Sequence, residues 1–338
     1  MKYIIPYRMY AGQPYDSPFV TGGTEMFIRR FLASAKHPVE VICFTESEWS
    51  NRNHVIKSIA RAITSRTDVI VSNYIIPKVS SDLAKIVTVN PIVVLIHNIA
   101  SSWTADSFLK TLETAPHKNL RFGFVSEFQF NDWYKFAKRR LRTPISRDQS
   151  FFFYPWFYSD NDHEGNYDTY DIVTIGRAQY HKDPLAVHKI GKRTNLHSCA
   201  IISTMNMDDK YKKMYEDYRA SHPNATVYEN IPHSENLGIL LKSRTYLSTC
   251  AVEAWGITMA EACCAGLPVI AFQYTGQNPA ASEFIHENFL RVIDRKTNSI
   301  DIQNAFKYNC TIPNNEIRSW AKEHFTVETF RQKLFTNI

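Results

Sequence analysis

The sequence predicts an α/β chain built from two doubly wound, Rossmann-like domains, and three observations carry that reading. Short apolar runs rich in Val, Ile and Phe alternate with stretches of helical period, and the alternation runs through twice. Between the two runs, residues 154–170 (YPWFYSDNDHEGNYDTY) are turn-rich, acidic and aromatic and follow neither period. The 338 residues, 44% hydrophobic and 21% charged, are enough for two cores and exclude a disordered, collagen-like or disulfide-stapled chain. Parallel strands need crossovers, which helices supply, so repeated βα units imply parallel sheets covered on both faces. The expected domains are 1–155 and 171–338, joined by a linker over 156–170.

In the first domain the strand candidates are Lys2–Ile5, Val39–Phe44, Asp68–Ser72, Ile92–His97 and Arg121–Val125. Helical stretches fall near 24–35, 54–65, 79–88 and 105–114, and a longer one runs from Glu127 to about Leu141. In the second domain the strands are Asp171–Ile175, Ala200–Ser203, Thr226–Tyr228, Thr245–Leu247, Val269–Phe272 and Leu290–Ile293. Helices are expected near 183–192, 208–221, 234–242, 257–265 and 279–287, and a helical segment from about Asn315 closes the chain.

The formal charge of +6 is unevenly spread. Residues 1–155 hold 20 Lys and Arg against 12 Asp and Glu, a surplus of +8; the remaining 19 and 21 leave −2 in the second half. A basic half suits a polyanionic partner, although uneven solvated surfaces are also common. The opening MKYIIPYRMY does not read as a signal peptide, because Pro6 and Arg8 interrupt its apolar run. The apolar stretch around Pro91–Ile96 is far below the ~20 residues of a membrane helix. The six cysteines show no CxxC spacing and read as reduced core residues of a cytoplasmic protein.

The chemistry concentrates in the second half. Gly176-Arg177 follows the strand DIVTI, and Lys182 lies five residues beyond Arg177 at the mouth of the next helix. A strand end, a tight turn and two fixed cations suit a diphosphate. Next, Glu253 and Glu261 lie eight apart with Gly256 between them at a helix start. Gly256 permits close backbone approach, and the unpaired amides from Ile257 and Thr258 to Met259 can hold phosphate oxygens. Glu253, ahead of the helix, can accept bonds from sugar hydroxyls, and Glu261, one turn inside, from a ribose diol. Gly266 then ends the helix and Pro268 opens a buried strand.

The string EAWGITMAEACCAGLPVIA resembles the E-x7-E signature of the retaining glycosyltransferases of family 4, which have the GT-B fold. TIGRAQYHK resembles that family's diphosphate site, and Glu229–Glu235 its nucleobase-side loop, where Ile231 meets the base. The resemblance implies two Rossmann-like domains facing a cleft, a nucleotide-sugar substrate, UDP-linked, and no metal or other cofactor. Arg177, Lys182 and helix amides would then neutralise the departing diphosphate. Asp160-Asn-Asp162 mimics a metal-binding D-x-D but sits in the linker. In the first half, Thr21-Gly22-Gly23-Thr24 resembles the family's Gly-rich loop, preceded by a long insert over 6–20. His97 resembles the strand-end His that faces the transferred sugar, with Asn98 where Asp is usual. Ser126 resembles the Ser at the following strand end. The implied catalytic set is His97, Arg177, Lys182 and Glu253. The implied sugar-donor contacts are Gly22, Gly23, Arg177, Lys182, Ile231, Gly256, Ile257, Thr258 and Glu261.

The acceptor normally lies on the first domain. There the stretch 131–147 carries Lys135, Lys138, Arg139, Arg140, Arg142 and Arg147, with Phe130, Trp133, Tyr134, Ala137 and Leu141 able to form a buried face. Cations interleaved with aromatics suit phosphates around an extruded base; a solvated helix, or one facing anionic lipid, has the same pattern. Val93–Asn98, Val125–Ala137 and Thr174–Pro184 also resemble the phage α-glucosyltransferases that modify hydroxymethylcytosine in DNA. That resemblance implies double-stranded DNA with modified cytosine as partner, in a host cytoplasm. A cell-surface glycan or lipid acceptor, or a non-catalytic binding module, are the alternatives.

Overall fold

The structure, a computed structural model, describes residues 1–9, 23–73, 90–97, 120–140, 145–154, 165–204, 207, 209–250, 253–273, 279–294, 296 and 298–337. The chain divides into two compact units, one of Met1–Phe157 with Val327–Ile338, the other of Tyr158–Thr326.

In the first unit, β1 (Tyr3–Arg8), β2 (Val39–Phe44), β3 (Val69–Asn73), β4 (Ile92–Ile96), β5 (Leu120–Phe124) and β6 (Ser150–Phe152) make one sheet ordered β2-β1-β3-β4-β5-β6. Every pairing is parallel. β4 is buried throughout, as its unbroken apolar run requires. β1 extends past the expected end at Ile5 and includes Pro6. The paired register of β3 with β1 is Tyr3 and Ile4, ahead of Pro6, so that ladder does not call on the N–H that proline lacks. The helices are α1 (Gly23–Ser34), α2 (Glu46–Ser50), α3 (Arg52–Ala62) and α4 (Glu127–Arg140). The helices expected near 79–88 and 105–114 lie outside the described residues, as do Gly22, Asn98, Leu141, Arg142 and most of the expected linker.

The second unit repeats the plan. β7 (Tyr170–Arg177), β8 (Ser198–Ser203), β9 (Thr226–Glu229), β10 (Ser243–Ser248), β11 (Val269–Gln273) and β12 (Leu290–Asp294) are ordered β12-β11-β10-β7-β8-β9, all parallel. Its helices are α5 (Ala186–Thr194), α6 (Asp209–Ser221), α7 (His233–Leu240), α8 (Ile257–Cys264), α9 (Ser299–Asn309) and α10 (Asn314–His324). The helix expected near 279–287 is only a 3-10 turn at Ala280–Glu283, whereas α9 has no counterpart among the expected helices.

The expected second domain, 171–338, is corrected at its end. The last helix, α11 (Val327–Phe335), belongs to the first unit. Its buried Phe330 and Leu334, at i and i+4, form the apolar stripe that drives this. Phe330 meets Phe27 with ring centroids 6.0 Å apart, and Phe335 meets Phe31 at 5.0 Å. Arg331 Nε donates to the carbonyl of Ser34, the last residue of α1, at 3.0 Å. The cysteine reading is also corrected in part. Cys199, Cys263 and Cys264 are buried, but Cys43 and Cys310 are exposed. No helix among the described residues is long and apolar enough to cross a membrane.

Candidate functional site

In the second unit the chain passes from β7 to β8 and β9 on one side, then returns to β10 on the other side of β7. The strand order therefore reverses between β7 and β10. In an open parallel sheet that switch point leaves a crevice at the carboxyl ends of the two strands. Arg177 ends β7, and Glu253 follows β10 just before α8.

The strand runs through Gly176 and Arg177, which pair with Ile202 and Ser203, so the tight turn expected at those residues comes later. It is formed by Gln179 to Asp183, where the amides of Lys182 and Asp183 donate to the Gln179 carbonyl at 3.0 and 2.9 Å. Asp183 has a φ of 33°. This turn delivers Lys182 to Glu253: Nζ and Oε2 form an ion pair, with side chains 19% and 25% exposed. Burial works against the Lys182 charge, but the Glu253 carboxylate outweighs it and the ammonium pKa is raised. Burial likewise pushes the Glu253 carboxyl up, yet the charge and hydrogen bond of Lys182, with a bond from Cys250, hold it below the ordinary carboxylate range. Both groups are charged at neutral pH.

Hydroxyl groups tie the two strand ends together. Thr249 Oγ1 donates to the Lys182 carbonyl at 2.8 Å. Tyr246 OH donates to Thr258 Oγ1, in the first turn of α8, at 2.7 Å, and also contacts the Ile175 carbonyl at 3.3 Å. Burial pushes the Tyr246 phenol up to about 12, so it stays protonated as a donor.

Gly256 caps α8 in the left-handed region, with φ 99° and ψ 66°. A Cβ there would meet Met259 Cε at 2.1 Å. No side chain caps the helix, so the amides of Ile257 and Thr258 face forward without a carbonyl one turn behind them. Trp255, inside the motif, is 2% exposed and stacks on Phe284 at 4.2 Å, which anchors the loop from behind. Glu261, one turn inside, is buried, and its Oε1 meets His233 Nε2 at 2.7 Å. Ile231 is half-buried on the loop leading to α7. Asn230 holds that loop to the end of β8, accepting from the Thr204 amide at 2.9 Å and donating to Thr204 Oγ1 at 2.6 Å.

The structure thus brings together Lys182, Glu253, Gly256, Ile257, Thr258 and Glu261 around one sheet edge, with Arg177 exposed at the same edge. Sequence reasoning gave no role to His233, Tyr246, Thr249 or Trp255. His233 stood in the quoted Glu229–Glu235 loop and Trp255 between the two glutamates, which were the available signals.

The remaining candidates belong to the first unit. His97 follows β4 and packs against Phe27 and Phe153, with centroids at 5.2 and 5.6 Å. Burial there lowers its pKa to about 4, so it is neutral at physiological pH. Gly23 is the first residue of α1, while Gly22 lies outside the described residues. Ser126 caps α4, accepting from the Gln129 amide at 3.1 Å. α4 buries Phe130, Trp133 and Ala137 and exposes Lys135, Lys138 and Arg139. Arg140 is the last residue of α4, and its side chain is outside the described set. Arg147 lies over the rings of Phe152 and Phe130, at 4.4 and 4.9 Å.

Residues 159–301 match the family model described as glycosyl transferases group 1. No curated protein matches the chain. Among solved structures, sucrose-phosphate synthase from Thermosynechococcus elongatus superposes with a TM-score of 0.70 at 12% identity, covering 99% of this chain and 97% of its own. Anabaena HepE in complex with UDP-glucose gives 0.65 at 16%, covering 99% of each chain. A mutant of S. aureus TarM in complex with UDP gives 0.57 at 17% over 85% of this chain, which spans 58% of TarM's length. At these identities the likeness is one of fold, and it is the GT-B fold expected from the sequence. The family match covers 143 of the 338 residues, all in the second half of the chain.

Proposed function

We propose that the chain is a retaining, metal-independent glycosyltransferase that takes a sugar from a UDP-linked donor and acts in the cytoplasm. The observation that carries this is the Lys182–Glu253 pair at the switch point of a group 1 domain, beside the unpaired amides of α8. In the reaction the bond from the anomeric carbon to the diphosphate breaks, and the acceptor oxygen bonds to that carbon on the same face. The departing diphosphate oxygen takes the acceptor proton. Arg177, Lys182 and the α8 amides stabilise the charge that develops on the diphosphate. Glu253 accepts from sugar hydroxyls, Glu261 from the ribose, and Ile231 lies at the base. His97, buried and neutral in the first unit, keeps in this proposal the catalytic role that the family resemblance implies.

The acceptor in this proposal is a 5-hydroxymethylcytosine-type base in double-stranded DNA. Supporting it are the +8 surplus of residues 1–155 and the exposed Lys135, Lys138 and Arg139 on one face of α4, with Arg140 and Arg142 following in sequence. The test incubates purified protein and a panel of nucleotide sugars with hydroxymethylated DNA, unmodified DNA, a lipid and an oligosaccharide. The expected result is a one-sugar mass gain on hydroxymethylated DNA. A gain on the lipid or oligosaccharide, with neither DNA modified, assigns a glycan or lipid acceptor instead. No transfer and no nucleoside diphosphate released from any nucleotide sugar leaves a binding module.

A further inference from the structure

We propose that His233 is a positioning residue that fixes the Glu261 carboxylate toward the nucleotide ribose, and so sets a preference for ribonucleotide over 2′-deoxyribonucleotide. The inference rests on the sugar-donor site proposed above. Glu261 sits in α8, and its side chain is 10% exposed. A glutamate's last torsion is broad and roughly two-fold, so burial of the chain alone does not fix the plane of its carboxylate. His233, the first residue of α7, fixes it: Nε2 meets Oε1 at 2.7 Å, across 28 residues of sequence. The two groups come from elements that follow different strands, α7 after β9 and α8 after β10. The carboxylate is therefore registered against the β9–α7 loop, which carries Ile231, as well as against its own helix.

A carboxylate has two oxygens and room for about four hydrogen bonds. With Oε1 engaged by His233, no described residue bonds Oε2. A ribose presents two adjacent hydroxyls, and one correctly oriented carboxylate can accept from both. A 2′-deoxyribose presents one, and leaves an acceptor in this nearly dry position unfilled. Orientation of the kind His233 gives is what converts a carboxylate at the right distance into one that distinguishes the two sugars. His233 is 31% exposed, so its replacement leaves no large cavity.

The test measures binding of UDP and 2′-deoxy-UDP, then of the GDP and ADP pairs, by calorimetry to the wild type, His233→Ala and His233→Gln. The ratio of the two affinities within one variant is insensitive to any fraction that fails to fold. The wild type is expected to favour the ribonucleotide. His233→Ala is expected to shrink that ratio by about tenfold, chiefly through weaker binding of the ribonucleotide. His233→Gln, which keeps a donor on a more flexible chain, is expected to restore part of it. A ribose preference that His233→Ala leaves unchanged overturns the inference alone. A wild type that binds none of the nucleotides overturns the sugar-donor reading, and this inference with it.

Discussion

Lys182 and Glu253, 71 residues apart in sequence, form one ion pair at the reversal point of the second sheet. Each holds the other charged against the cost of burial. Under the proposed function, an arriving diphosphate would offer Lys182 a second anion, and the sugar would offer Glu253 hydroxyl donors. The pair thus keeps both groups charged and in place, which under the proposed function is the preorganisation that electrostatic catalysis requires.

Breaking this pair separates stability from activity. Lys182→Ala or Glu253→Gln is expected to cost about 2 kcal/mol of folding stability, because each leaves a partly buried group without its counter-charge. The double variant Lys182→Met with Glu253→Gln is expected to return to within about 1 kcal/mol of the wild type in denaturant melts. Transfer stays depressed by about 100-fold or more in all three. Lys182→Ala and Arg177→Ala are expected to lower kcat, Glu261→Gln to raise KM, and Glu253→Gln to do both.

Gly256 is the position where a single methyl acts on the site. The Met259 methyl can swing away from a new Cβ, but a φ of 99° remains strained for any L side chain. Gly256→Ala is expected to lower stability by about 1–2 kcal/mol. It tilts the first amides of α8 as well, and nucleotide affinity is expected to drop by about tenfold in calorimetry.

His97 gives the first unit a defined pH response. Its folded pKa is about 4, set by burial, against an ordinary 6.5. Between these values the unfolded chain binds a proton that the folded chain refuses. Stability that is complete above pH 6.5 is therefore lost as pH falls toward 4, by about 3 kcal/mol at most. His97→Phe is expected to flatten that slope in urea titrations from pH 4.5 to 7. His188, also lowered to about 4 chiefly by burial, keeps a residual slope from the second unit.

The exposed face of α4 tests the acceptor. Lys135→Glu with Arg139→Glu is expected to weaken binding of hydroxymethylated duplex DNA steeply. It is also expected to lower the slope of log affinity against log salt by about 2. A slope equal to the wild type's shows that α4 does not touch phosphates.

The sequence made most of this legible where apolar runs were long. β4 and β11 begin where periodicity placed them, because a buried parallel strand needs a continuous run. β6, Ser150–Phe152, is too short to show a period. α9 escaped because its polar face interrupts the pattern, although Asn298 caps it by accepting from the amides of Ile300 and Asp301. The membership of α11 in the first unit depends on Phe330 meeting Phe27, a contact between chain ends that no local pattern records. The site shows the same limit. Lys182, Glu253 and Glu261 were legible as residue types suited to a nucleotide sugar, but their pairing with each other and with His233 arises only when β7, β10 and α7 come together.

The most direct measurement is release of nucleoside diphosphate from a panel of nucleotide sugars, without acceptor, by the wild type and by the Lys182→Met, Glu253→Gln double variant. Slow release from at least one nucleotide sugar by the wild type, reduced about 100-fold or more in the folded double variant, is the predicted result. No release from any of them, or equal release by both proteins, contradicts the assignment of this switch point as the site of sugar transfer.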